Sequence, residues 1–197
     1  VLRLPNETTR DYILFCFFTG WRRSATAKLK WSYFNKRSGI MTIPNEDDKT
    51  RKERRIPLPD IAIQILERRS KLPRPIDNDY IFPVDPQAID KRKRTGTAGP
   101  KYIQEPKRGI AKVVKDSGVY FSMHVLKNTF LTTASRLDIA HYKLKALGFH
   151  SVKGDVTGGY VQTDPEQLRE PMQKICDYLR EQCGAKATFA EQIEAVS

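Results

Sequence analysis

Cysteine is scarce in this chain, and what there is does not form a pattern. Three cysteines in 197 residues, Cys16, Cys176 and Cys183, are odd in number and lack the paired spacing of metal ligands. A disulfide framework is therefore not expected, and a reducing compartment fits. Long apolar runs are missing too. The longest, Tyr12 to Phe18, is far too short to span a bilayer, and no secretory leader pattern is present. Nor is there a paired-His helix motif, a CxxC, an Asp-rich hairpin or a Gly-rich phosphate loop ending in Lys-Ser/Thr. Neither a metal nor an organic cofactor is expected, so any chemistry must be carried by side chains. Internal repeats are absent as well. The chain starts at Val1 rather than Met and enters a helical pattern almost at once, so an N-terminal portion is expected to precede it.

What the chain has in excess is positive charge. Its 35 Lys+Arg against 23 Asp+Glu leave a formal charge of +12, with an isoelectric point near 9.7. That is the electrostatic footprint of a nucleic-acid binder, although ribosomal and membrane-surface proteins share it. With 39% hydrophobic residues the chain can also bury a core.

The local patterns predict a mainly helical domain with a small sheet. Residues 7–18 read as an almost wholly apolar helix with Thr8 or Thr9 near its N-cap, broken by Thr19-Gly20. A second helix is expected from about Arg23 to Leu29. Trp31, Tyr33 and Phe34 alternate with polar residues as in a strand. Lys36 to Gly39 reads as a turn, Ile40 to Ile43 as a strand, Asn45 to Asp48 as a polar loop, and Arg55 to Leu58 as an edge strand tolerant of Pro57. Further helices are expected at 59–69, 110–116, 124–135 and 141–147, the last capped by Gly148. Residues 72–88 read as irregular with a short strand at "YIFP", and residues 91–109 as a basic, mobile Gly/Pro loop. Asp164-Pro165 signals the start of a long helix to about Gln182, ended by Gly184. Ala187 to Val196 suits a short amphipathic tail helix.

Cutting a phosphodiester without metal or ATP requires a nucleophile, cationic donors for the non-bridging oxygens, and an acid for the leaving 5′ oxygen. Four stretches supply such parts. Thr19-Gly20-Trp21-Arg22-Arg23-Ser24 puts guanidinium groups at a helix start, where a fork can grip a phosphate. Asp48 to Leu58 forms a hairpin tip that carries Lys49 and Lys52, with Arg54 beside them. His124 and Lys127 stand three apart on a helix. His150 is followed ten residues later by Tyr160, after the Gly-rich Asp155-Val156-Thr157-Gly158-Gly159. Taken singly, each has an ordinary structural explanation: a solvated Arg pair, solubility lysines, a structural His, a packing Tyr. Their order and spacing together are what point to a site.

That ordered set resembles the tyrosine recombinase (lambda-type integrase) family. The family carries a Thr-Gly-x-Arg box, a Lys on a β-hairpin, a His-x-x-Arg box, a Gly-His box and a nucleophilic Tyr soon after. Here these correspond to Thr19-Gly20-Trp21-Arg22, Lys49, His124 with Lys127, Gly148 with His150, and Tyr160. The flanks "AKLKWSYF", "KERRIPLPD" and "DVTGGYVQTDPEQLREPMQKICDYL" are also similar. The resemblance covers roughly residues 8–183.

The resemblance implies that Tyr160 is the nucleophile, forming a 3′-phosphotyrosyl link that conserves bond energy for rejoining. It implies a phosphate clamp at Arg22, a general acid at Lys49 with Lys52 as its rival, and phosphate or proton-transfer roles for His124 and His150. Arg23, Lys52, Arg54, Lys91, Arg92, Lys93 and Arg94 are candidate DNA contacts. It also implies an α+β catalytic domain over 1–183, with a three-stranded antiparallel sheet. Residues 184–197 would form a tail able to dock in trans. A separate N-terminal core-binding domain, double-stranded attachment-site DNA, a homotetramer on that DNA and a bacterial, nucleoid-associated cytoplasmic setting follow from it too. Three positions depart from the family pattern. Lys127 replaces its second arginine, Ala25 replaces an acidic residue after the first box, and Val125 replaces the usual Asp. A lysine keeps charge but loses the planar fork. Arg136, nine residues on, falls on the opposite helix face and offers no replacement. Two other readings stay open: a catalytically weakened DNA-binding relic and a type IB topoisomerase.

Overall fold

The computed structural model of the chain describes residues 1–48, 51–74, 77–84, 99–147 and 164–184. Among them the expected class is observed, mainly α-helical with one small antiparallel sheet. The organising element is helix α1, Glu7–Thr19. Residues Tyr12 to Cys16 and Phe18 are all buried, so the helix is apolar around its circumference and sits inside the domain. It packs against α5 (Met123–Arg136), α3 (Asp60–Ser70), α2 (Arg23–Ala27) and α7 (Pro165–Gln182). Its N-cap is Asn6, whose side chain accepts from Thr9 N at 2.8 Å. The expected cap at Thr8 or Thr9 thus falls inside the helix; Asn6 is an equally good capping residue one turn earlier.

Two polar residues are buried near the start of α1. Asp11 is fully buried and accepts from Arg10 Nε at 3.3 Å, from Arg69 Nη1 at 3.1 Å and from Arg68. Arg69 Nε donates onward to the Ile81 carbonyl at 2.8 Å. One carboxylate therefore ties α1 to α3 and to the chain near residue 81, and its charge is compensated on several sides.

The sheet has the order β1 (Phe34–Asn35), β2 (Ile40–Ile43), β3 (Arg54–Pro57), all antiparallel, with Met41 opposite both Phe34 and Ile56. Pro57 lies on an edge strand, as its missing N–H requires. Trp31 to Tyr33, expected to be extended, form a 3-10 turn instead. Asp79 accounts for this. Its carbonyl accepts from Trp31 N at 2.9 Å, and its carboxylate accepts from Ser32 N and Ser32 Oγ. Such side-chain bonds to neighbouring backbone compete with strand pairing. "YIFP" likewise forms only isolated bridges, Lys30 with Tyr80 and Pro83 with Tyr102.

The remaining helices are α4 (Lys107–Ser117), α5, α6 (His141–Leu147) and α7. Helix α4 begins three residues before the expected Ile110, taking Lys107 to Gly109 out of the basic loop. No side chain caps its first turn, so the sequence carries no start signal there. Helix α7 runs as expected, with Asp164 capping Glu166 N at 3.1 Å. Its apolar stripe of Leu168, Met172, Ile175, Cys176 and Leu179 is buried, and it lies on β3, α5 and α6. Arg169 Nη2 reaches the Ser38 carbonyl at 3.0 Å, fastening the helix to the β1–β2 turn. The Gly148 cap, residues 91–98 of the basic loop and the tail helix at 187–196 lie outside the described residues. No helix among the described residues is long and apolar enough to cross a membrane.

Helix α1 ends at Gly20, which has φ +66 and donates to Cys16 O at 3.0 Å. A Cβ there would lie 2.3 Å from Phe130 Cδ1 of α5. Gly20→Ala therefore meets both a left-handed backbone and a steric clash, and is expected to cost at least about 2 kcal/mol, read as a fall in the urea midpoint. Burial pushes the Cys16 and Cys176 thiols up to about 12, whereas Cys183 is exposed. A disulfide reagent at pH 8 should titrate one thiol quickly in the native protein, and all three after unfolding.

Candidate active site

Two segments far apart in the chain meet where α1 ends. Thr19 is buried and its hydroxyl donates to Phe15 O at 2.7 Å. Trp21 is fully buried, edge-on to Phe15 with centroids 5.7 Å apart. Between these anchors Gly20 turns the backbone, and directly after Trp21 the chain leaves the core, so Arg22 is exposed. Arg22 is the N-cap of α2, and its carbonyl accepts from Ala25 N and Thr26 N, both at 3.0 Å. Tyr12 Oη donates to the Arg23 carbonyl at 2.7 Å and pins this corner to α1. The local fold thus fixes the backbone of Arg22 at the exposed corner between α1 and α2.

The opposing element is α5. Ser122 caps it, accepting from Val125 N at 3.3 Å. Its inward face comprises Met123, Leu126, Lys127, Phe130, Thr133 and Ala134. Phe130 abuts Gly20, and Lys127 is one turn before Phe130. That spacing carries the Lys127 ammonium toward Arg22. Lys127 is only 7% exposed. Burial first, and repulsion from Arg22 second, hold it below the usual lysine range. Among the described residues no carboxylate pairs with Lys127. A buried cation set against another cation, with no acid to neutralise it, is costly unless an anion completes the set.

The other expected residues fall into distinct groups. His124 is exposed in the first turn of α5, beside the inward-facing Lys127. Arg136 lies in the last turn, about 14 Å farther along the axis than Lys127 at 1.5 Å per residue. Arg23 pairs with Glu105 at 3.1 Å on the surface. Arg54 is engaged with Asp48, its Nε 2.6 Å from Oδ2. Lys52 is exposed beside β3. Ala25 brings no acidic group to the Arg22 corner. Lys49, His150, Tyr160, Lys91, Arg92, Lys93 and Arg94 lie outside the described residues. Among the described residues no group of three or more His, Cys, Asp or Glu could hold a metal ion.

One cluster was not legible beforehand. Asp47, read from sequence as part of a polar loop, accepts from Lys30 Nζ at 3.0 Å and from the Tyr33 hydroxyl. The Lys30 ammonium also sits 5.1 Å from the Tyr33 ring centroid and 6.0 Å from that of Tyr80. Nothing in the spacing of residues 30, 33 and 47 announces a contact; only the return of β2 beside the 3-10 turn creates it.

By fold, the domain is of the integrase type. It is similar to an integrase from mycobacterium phage Brujita, with a TM-score of 0.63 at 17% identity over 98% of this chain. It is similar to the Tn1549 transposon integrase in complex with transposon right end DNA, with a TM-score of 0.51 at 19% identity over 83% of this chain. The same integrase in complex with circular intermediate DNA matches with a TM-score of 0.51 at 18% identity over 84%. The chain spans 58% of the first of these proteins and 57% of the other two. No curated protein matches the sequence. The model of the phage integrase family matches residues 4–167, and the chain belongs to that family.

The burial of Lys127 has a measurable cost. Burial and repulsion from Arg22 hold its folded pKa below the unfolded value, so keeping the ammonium charged costs the native state stability. That cost is relieved as pH rises from the lowered folded value toward about 10.4, the unfolded one. Lys127→Met should therefore be more stable than the parent by about 1 kcal/mol at pH 7, the gap closing above pH 10. Sulfate should raise the parent's melting temperature more than the variant's.

Proposed function

We propose that the chain is the strand-cleaving domain of a site-specific DNA integrase, acting through a covalent link between Tyr160 and the DNA 3′ phosphate. The observation that carries this reading is the convergence of Arg22 and Lys127 at the α1–α5 contact. Two cations from separate elements, one of them buried, suit a single phosphate between them.

The chemistry follows from that site. The Tyr160 oxygen attacks phosphorus in line, passing its phenolic proton to His124 or His150, and the bond to the 5′ oxygen breaks. Charge on the non-bridging oxygens is met by Arg22 and Lys127, with His124 and His150 as further donors. A lysine of the β2–β3 tip, Lys49 or its rival Lys52, gives its proton to the departing 5′ oxygen. Attack by a 5′ hydroxyl reverses each step, so rejoining consumes no cofactor. The substrate class is duplex DNA at attachment sites, for which the +12 charge supplies the attraction. Arg23, Lys52 and Arg54 flank the site, although Arg23 and Arg54 must leave or share their carboxylates to contact a phosphate. A homotetramer on DNA, an N-terminal partner domain, a tail docking in trans and a bacterial cytoplasmic setting at the nucleoid complete the reading.

A second reading, a DNA-binding relic, draws on Lys127. A buried ammonium offers one point charge where a guanidinium would fork onto two oxygens.

Covalent trapping on nicked suicide substrates separates the two. The parent should form a denaturation-resistant adduct that Tyr160→Phe abolishes. Arg22→Ala should slow its formation by about a hundredfold or more, and Lys127→Arg should increase it. An adduct from Lys127→Arg but none from the parent would support a degenerate recombinase. Tight DNA binding with no adduct from any version would support the relic.

A further inference from the structure

The Lys30–Tyr33–Asp47 cluster has no place in the phosphate clamp, yet it is built with care. Asp47 takes hydrogen bonds from Lys30 Nζ and the Tyr33 hydroxyl. Tyr33 and then Lys30 hold its carboxyl below the usual carboxylate range, so the group is anionic at neutral pH. Lys30 is itself fixed by its bridge to Tyr80 and its contacts with two aromatic rings. Asp79 folds the 3-10 turn that presents Tyr33. The neighbouring Asp48 is buried and held by Arg54 at the first residue of β3. Two successive carboxylates, Asp47 and Asp48, are thus fastened in different directions, one to the turn after α2 and one to β3. They are the last described residues before the β2–β3 tip that carries Lys49.

An exposed ion pair contributes little to stability, so the cluster is hard to explain as a stabilising device. Positioning explains it better. A proton donor must reach the leaving oxygen to within hydrogen-bond distance, and a displacement of about 1 Å can cost a hundredfold in rate. We propose that Lys30 and Tyr33 are positioning residues which, by holding Asp47, set the root of the β2–β3 tip and so aim its proton-donating lysine at the 5′ oxygen. This rests on the reading of the chain as a phosphotyrosyl-forming integrase.

The test compares two suicide substrates, one with the ordinary 5′ bridging oxygen and one with sulfur in its place. When the P–O bond breaks, the departing alkoxide needs a proton; when the P–S bond breaks, a stable thiolate leaves without one. Asp47→Ala should slow cleavage of the oxygen substrate by about a hundredfold while cleaving the sulfur substrate within about twofold of the parent. Tyr33→Phe, which removes one hydroxyl and keeps the ring, should show the same pattern more weakly. Lys49→Ala and Lys52→Ala serve as references, since whichever is the acid should also be rescued by sulfur. Equal losses on both substrates for Asp47→Ala and Tyr33→Phe, with the acid variant still rescued, would overturn the positioning role alone. So would parent-like rates on the oxygen substrate. If neither lysine variant is rescued, the assignment of the acid fails and the proposal with it. If Tyr160→Phe still forms the adduct, the phosphotyrosyl reading itself fails.

Discussion

The contact between Gly20 and Phe130 is the constraint on which the site depends. Helix α1 must stop inside the domain, directly against α5, and only a residue without a Cβ leaves room for the Phe130 ring. The left-handed conformation at Gly20 closes the helix by donating to Cys16 O. Trp21 then re-enters the core and Arg22 emerges from it. Because Lys127 lies one turn from Phe130, the packing that seals the core also buries a lysine where Arg22 repels it. Steric fit and electrostatics are therefore decided at one point.

The domain treats its buried charges in two opposite ways. Asp11 is enclosed by Arg10, Arg68 and Arg69, and each guanidinium has further acceptors. That arrangement holds α1 to α3. At Lys127 burial comes without an acidic partner among the described residues. A charge enclosed by ion-paired partners serves as a scaffold, whereas a cation buried beside another cation favours an anion. Asp11 lies near the start of α1, whereas Lys127 belongs to α5, one turn from the Phe130 that packs on Gly20 at the end of α1.

Much of the secondary structure was legible because its signals are local. Asp164-Pro165 marks the start of α7, and the buried stripe follows from spacing alone. The apolar run at Tyr12 to Phe18 identifies a central helix, and the hairpin strands are found as expected. The misreadings share a cause. Trp31 to Tyr33 alternate like a strand, but Asp79, distant in sequence, folds them into a 3-10 turn. Helix α4 begins without a capping side chain, so tertiary packing rather than a start signal sets its first residue. For the site, the order of Arg22, His124 and Lys127 was readable, but their relation to one another was not.

What the sequence determined by itself was the set of local structures, the excess of positive charge and the chemical types available to a site. These depend on near-neighbour spacing and composition, which a linear string carries in full. The tertiary structure alone decided which cation meets which partner. Arg54 meets Asp48, Arg23 meets Glu105 and Lys30 meets Asp47, while Lys127 is buried within reach of the repulsion from Arg22. Coulombic energy and desolvation both turn on separations of a few ångströms and on exclusion of water. Neither quantity exists until distant segments have packed, so whether a lysine pairs with a carboxylate or is buried beside another cation is settled only in the fold.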